Sequence, residues 1–240
     1  MRRSVATRPP ALLAIDGQAV EVKLRLNPRA RRLIVKVHPS TGEVTVVAPS
    51  RRALERALDF ARGEANWISR QIARVPKPIA LKPGARIPYR GRETVIVKSE
   101  GRGPAVHDAA QSVIRVGGRD EFAPRRLVDF LKREARALLD QRTRAYALRI
   151  DAKVARVSVR DTSSRWGSCS AGKAISYCWR LILAPDFVLD YVVAHEVAHL
   201  REMNHGPRFW RLVRELVPDI DAPQAWLKKH GSALHRYGVK

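Results

Sequence analysis

The sequence predicts an α+β protein in two parts: a β-rich stretch with one long helix over residues 1–120, and a domain of helices with a small antiparallel sheet over residues 121–240. Three observations carry this prediction. Residues 17–48 alternate apolar and polar in the period of two that marks half-buried strands. Residues 123–150 carry apolar side chains at helical spacing. Finally, Val193 to His205 contains H-E-x-x-H with a third His six residues beyond the second.

In the first part, Val20, Val22, Leu24 and Leu26 face one way and Glu21, Lys23 and Arg25 the other. Leu33, Val35 and Val37 repeat the pattern, Pro39-Ser40-Thr41-Gly42 supplies a turn, and Val44 to Ala48 returns, so an antiparallel meander is expected. Its Arg25, Arg29, Arg31 and Arg32 read as the solvated face of a half-buried sheet in preference to an anion-binding ledge. A helix follows to about Arg74, with Ser50 as its cap and Trp67 packed on the meander. Pro76, Pro78 and Pro83-Gly84 break the pattern as a linker or loop. Short strands are expected at 87–89, 94–98 and 112–116, with a turn-rich loop at Gly101 to Pro104 and His107 at the surface.

In the second part, Leu127, Phe130, Leu131, Leu138 and Leu139 form the apolar side of a helix whose other faces are crowded with arginine, read as a scaffold helix. Val154–Val159 and Ala174–Leu183 are strand-like, joined through Asp161 to Gly172. Gly167 in that joining stretch would allow close approach of backbone to a neighbour or substrate. Arg165, with Trp166 beside it, is the candidate to hold a carboxylate or phosphate. Cys169 and Cys178 are expected to face each other as reduced thiols and are not assigned to metal. Gly206-Pro207 opens a further helix. A tail helix runs from about Ala222 to Leu234, with His230 and His235 read as surface groups. No internal repeat is evident.

The chemistry concentrates in the histidine motif. Residues four apart on a helix share a face, so His195 and His199 can point at one ion while Glu196, one step round, reaches a water on it. Asn204 tolerates the left-handed conformation that would turn the chain back and bring in His205. Three imidazoles with one open position describe a catalytic zinc, since structural sites are closed by four protein ligands. The spacing follows the metzincin pattern through the third His, but Glu202 stands where that pattern has Gly.

Composition bounds the remaining classes. Lys and Arg total 46 against 23 Asp and Glu, a formal charge of +23, which attracts polyanions but says nothing of fold. Two cysteines exclude a disulfide scaffold, and no apolar run is long enough to span a bilayer. Arg2, Arg3 and the short patch at residues 11–15 fall short of a signal peptide, so a cytoplasmic protein without membrane association is expected.

The run Arg165 to Cys169, the segment Trp179 to Pro185, Asp190 through Glu196 to Asn204-His205, and Phe209-Trp210 together closely resemble the YgjP-like metallopeptidases, relatives of the SprT-like zincins. Asn66-Trp67-Ile68 and the Arg-rich strands carry a looser likeness. Gly206 stands where many relatives have Ser. The resemblance implies a zincin-type domain holding one Zn²⁺, or another divalent metal, on His195, His199 and His205, with Glu196 as general base. A nucleoside-triphosphate (UTP-type) pyrophosphatase activity is also attached to this group. Three functions are therefore weighed: a zinc peptidase acting on a peptide or protein, a metal-dependent nucleotide pyrophosphatase, and a basic nucleic-acid-associated protein with a non-catalytic zinc site.

Overall fold

The computed structural model describes residues 11–38, 41–75 and 77–238. The chain forms two compact units, residues 1–77 and 78–240. The division therefore lies well before the 120/121 boundary read from the sequence. The strands between residues 86 and 116 share one hydrophobic core with the helices that follow them, which places them in the second unit. The described residues are mixed α/β, with small sheets and six α-helices.

The first unit contains β1 (Ala11–Ile15), β2 (Gln18–Leu26), β3 (Ile34–Val37) and β4 (Val44–Ala48), then α1 (Leu54–Gly63) and α2 (Ala65–Ala73). The apolar alternation of β2 lands as expected, with Val22 and Leu24 buried. The sheet is not an antiparallel meander, however. Its order is β1-β2-β4-β3, and β2 pairs with β4 in parallel. Alternation dictates which face of a strand is buried but not its partner. The patch at residues 11–15 is a strand because Asp16 and Gly17, both at positive φ (48° and 76°), form a tight hairpin turn into β2.

The expected single helix is broken. Ser50 is extended and makes no side-chain cap, a short 3-10 turn follows at Arg51–Ala53, and Glu64 separates α1 from α2. The break follows Gly63, the residue type that ends helices most readily. Leu54, Ala57, Ala61 and Ile68 seal the sheet, and Trp67 packs half-buried against the same core. Pro39, Ser40, Pro76 and residues 1–10, with the expected turn, linker and leader readings that fall on them, lie outside the described residues.

The second unit opens with β5 (Arg86–Tyr89), β6 (Arg92–Lys98), β7 (Val106–Asp108) and β8 (Val113–Val116). His107 is half-buried within β7, its ring 4.5 Å from that of Tyr89. This sheet repeats the first in order, β5-β6-β8-β7, and in register. Leu13 opposite Val20 corresponds to Ile87 opposite Thr94. Val22 opposite Val44 corresponds to Ile96 opposite Ile114. Val37 opposite Val44 corresponds to His107 opposite Ile114. Arg90 and Gly91 take the positive φ of Asp16 and Gly17, and Ser112 takes that of Gly42. Each sheet then runs into a helix, where Arg56, Asp59, Phe60, Glu64 and Ala65 are matched by Arg126, Asp129, Phe130, Glu134 and Ala135. An internal repeat is therefore present although the sequence suggested none.

From the second repeat the chain continues through α3 (Ala123–Arg149), β9 (Arg156–Arg160), β10 (Gly167–Cys169), β11 (Ala174–Cys178), α4 (Asp186–Ala198), α5 (Pro207–Leu216) and α6 (Asp221–Leu234). The third sheet has the order β10-β11-β9. It too is mixed rather than antiparallel, because β9 pairs with β11 in parallel and leaves β10 as an edge. The strand expected to reach Leu183 ends at Cys178, and Trp179–Leu183 coil into a fully buried 3-10 turn. The hairpin register places Cys169 opposite Ile175. Its partner positions put the two cysteines on opposite faces, so they do not face each other. Among the described residues no helix is long and apolar enough to cross a membrane.

Candidate metal centre

The metal helix expected from the sequence is α4. Its residues are apolar nearly all round, with Val188, Leu189, Val192, Val193, Ala194, Val197 and Ala198 buried, the pattern of a helix enclosed by its neighbours. Three arginine contacts brace its start. Arg142 of α3 donates to Asp190 at 2.5 Å and pairs with Asp186 at 3.2 Å, while Arg90 donates to both carboxylate oxygens of Asp186. The β5–β6 turn docks there as well: Arg90 N–H donates to Ile182 O and Gly91 N–H to Leu183 O. A Cβ on Gly91 would lie 2.8 Å from Pro185 Cα.

His195 lies in the last turn of α4 and His199 is its C-terminal cap. Asn204 is not among the residues with positive φ. The return is made instead by Glu202 N–H on Ala198 O and a tight turn in which Gly206 N–H donates to Asn204 O. The chain thereby delivers His205, and the ligand atoms of His195, His199 and His205 lie within 4.8 Å of one another. His195 Nε2 and His205 Nε2 are 3.1 Å apart. His199 Nδ1 is 3.0 Å from Glu202 O, which leaves its Nε2 for the cluster, as backbone carbonyls commonly orient ligand imidazoles. Burial, then the neighbouring His199 and His205, lower the pKa of His195 to about 4. Burial also lowers that of His199. Both are thus neutral donors at pH 7.

Phe209, near the start of α5, touches all three imidazoles with ring separations of 4.6–4.9 Å, and Trp210 lies 6.0 Å from His195 and His205. In the sequence the pair Phe209-Trp210 stood out only as part of the family resemblance, and its role as a wall of the cluster was not foreseen. The donor set of three nitrogens suits Zn²⁺ better than the oxygen-seeking Mg²⁺. Two buried atoms beside the cluster, His195 Nδ1 and Glu196 Oε2, have no partner, as expected where a further polar group belongs.

Glu196 is buried at 6 % exposure. Burial pushes its pKa up to about 7, against the opposing charge of Arg165. Its carboxyl is held from the other side by β10: a Cβ on Gly167 would fall 2.5 Å from Glu196 Cγ and Oε1. The close approach expected of Gly167 is therefore made to this carboxyl. The neighbouring Cys169 thiol is pushed up to about 11 by burial, with the Glu196 charge adding.

The loop before β10 is anchored by Arg180, which is 5 % exposed and pairs with Asp161 while donating to Tyr237 O at 3.0 Å. Trp166 stacks at 4.9 Å on His235 and lies against Gly231 of α6. His235 is accordingly buried, not the surface residue expected, whereas His230 stays exposed beside Trp226. Arg165 is exposed and makes no ion pair or hydrogen bond through its side chain among the described residues. Its charge acts on Glu196, and Trp166 turns its ring to α6.

No curated protein and no solved structure matches the chain. The family model for the YgjP-like metallopeptidase domain matches residues 31–230. That match covers most of the sequence and includes every residue of the cluster, so the chain belongs to the YgjP-like metallopeptidase domain family.

Proposed function

We propose that this metal-dependent hydrolase is a zincin-type peptidase that holds Zn²⁺ on His195, His199 and His205 and uses Glu196 as general base. The observation that carries the reading is the convergence of three imidazoles with one buried, unpartnered carboxyl. Zinc bound there would polarise the scissile carbonyl and acidify a water near neutral pH. Glu196, whose carboxyl burial pushes up to about 7, would take a proton from a water held there and later deliver it to the leaving amine. Edge strand β10 offers its free backbone groups to an extended peptide, which would add to the sheet beside α4. Arg165 is the group available to a substrate carboxylate at this end of the cleft.

The test is turnover by metal-quantified protein with Glu196→Gln alongside. The variant should retain the metal and lose about 10²–10⁴-fold in kcat. Undiminished turnover would sink the assignment of Glu196. A second reading, a nucleotide pyrophosphatase, is favoured by the charge of +23, which raises the local concentration of anionic substrates. Release of pyrophosphate from nucleoside triphosphates by wild type but not by Glu196→Gln would put that reading first. The same charge would support nucleic-acid association, recognised by a steep dependence of binding on salt.

A further inference from the structure

Beside the histidine cluster opens a cavity of about 610 Å³ lined by His205, Gly206, Pro207, Trp210, Arg214, Ile220 and Gln224. His205 belongs to both, and Gln224 of α6 is fixed by a 2.9 Å hydrogen bond from its amide to the Tyr191 hydroxyl, whose ring is 6.1 Å from His195. Trp210 and Arg214 stand four residues apart on α5 and so share one face. Ile220 is buried at 8 % exposure and closes the apolar part.

The polarity of the lining is one-sided. It holds one full cation and one amide, and no carboxylate. Arg214 is exposed, and its side chain makes no ion pair or hydrogen bond among the described residues, whereas Arg142, Arg180 and Arg201 are all engaged. An aromatic face, an apolar wall and an unengaged guanidinium together match a side chain with a short aliphatic stem and a terminal carboxylate. The guanidinium can grip that carboxylate through two parallel hydrogen bonds, while the indole covers the stem. A lysine side chain would meet only repulsion.

We propose that this cavity is a substrate subsite for an acidic side chain of a peptide, with Arg214 as the residue that determines the preference. The proposal rests on the peptidase reading above and names the class of peptide that reading left open.

The test measures binding and cleavage separately. Zinc-loaded Glu196→Gln protein is titrated with short fluorescein-labelled peptides that differ only by Glu, Gln or Lys at one position, scanned along the peptide. At one position Glu should bind about tenfold more tightly than Gln. Arg214→Gln should erase that difference, and Arg214→Glu should turn it towards Lys. Equal binding of Glu and Gln at every position, a preference that survives Arg214→Gln, or no binding at all would overturn the subsite. Wild-type cleavage of the same peptides separates the two levels. Cleavage without a charge preference in binding would remove the subsite and leave the peptidase. An Arg214-dependent preference without cleavage would keep the subsite and remove the peptidase. Displacement of the Glu peptide by a nucleoside triphosphate that is itself hydrolysed, while no peptide is cut, would assign the cavity to phosphate and overturn the proposal.

Discussion

The two repeats share strand order, all three registers and the same positive-φ turns, yet their surroundings differ. Residues 13, 15, 22, 44 and 46 of the first and 87, 89, 96, 114 and 116 of the second are all buried. Beyond the sheet the copies diverge. Ala57 and Ala61 face the first sheet where Leu127 and Leu131 face the second. Phe60 is 39 % exposed and Phe130 only 2 %. The helix of the first repeat stops after Gly63, while α3 runs on with Arg133 at the matching place and extends to Arg149. Gly17 has open space around it, and Gly91 presses on Pro185 at the start of α4. The shared sheet is thus specified locally, by turn chemistry and alternation. Burial of the helix and turn is specified by elements later in the chain, and in the second repeat the decisive one is α4.

Four measurements would break or sharpen this contrast, each read by urea titration with hydrogen exchange resolved by unit. The largest effect is expected at the paired phenylalanines. Phe130→Ala should cost about 3–5 kcal/mol within residues 78–240, and Phe60→Ala about 1 kcal/mol or less within the first unit. Equal losses would show that the copies are packed alike after all.

Next come the paired glycines. Gly17→Ala meets only the left-handed backbone strain, about 1–2 kcal/mol. Gly91→Ala meets the same strain plus a collision with Pro185, for about 3 kcal/mol in all, and it should lower metal affinity as well because α4 must shift.

Acid should then separate the units. Burial pushes the Asp186 carboxyl up, but the hydrogen bond from Arg90 and the charges of Arg142 and Arg90 outweigh it, and its pKa lies below the usual value. A lowered folded pKa gives stability that is present above the unfolded value, near pH 4, and is lost as pH falls through the folded one. Protection in the second unit should decline below about pH 4, less steeply in Arg90→Ala. The first repeat has Asp16 in the place of Arg90, with no ion pair among the described residues, so its turn should not respond in this way. An unchanged acid slope in Arg90→Ala would remove the pair from the account.

The smallest effect is a gain. A Cβ placed on Gly63 would meet no atom within 4 Å, and the φ of this residue is not positive, so Gly63→Ala should stabilise the first unit by about 0.5–1 kcal/mol.

The histidine cluster was more legible than the fold around it. The H-E-x-x-H spacing is a local signal, since a helix alone brings His195 and His199 to one face, and the short return brings His205. Gly167 could be singled out because a glycine inside a strand suggests close backbone approach. Strand pairing depends on partners distant in sequence, so the parallel contacts of β2 with β4 and β9 with β11 left no mark in the alternation. The repeat left little mark in the sequence because its strands conserve burial and turn conformation with different residues, such as Ile96 for Val22 or Ser112 for Gly42, and identical residues recur mainly at a few helix positions, from Arg56 to Ala65 and from Arg126 to Ala135. The burial of His235 depends on Trp166, which lies far earlier in the chain, beyond the reach of any local pattern.

The contact between Gly167 and Glu196 has a consequence for how such a site can vary. Because the edge strand rests directly on the carboxyl, with no room between them even for a methyl group, position 167 works as a gauge block. It sets the height of the strand above the acid, and a peptide that aligned on that strand, as proposed above, would inherit the same height. Mutational drift in recognition would be steered to positions that do not touch the gauge, and position 167 itself would be closed to every residue that carries a side chain.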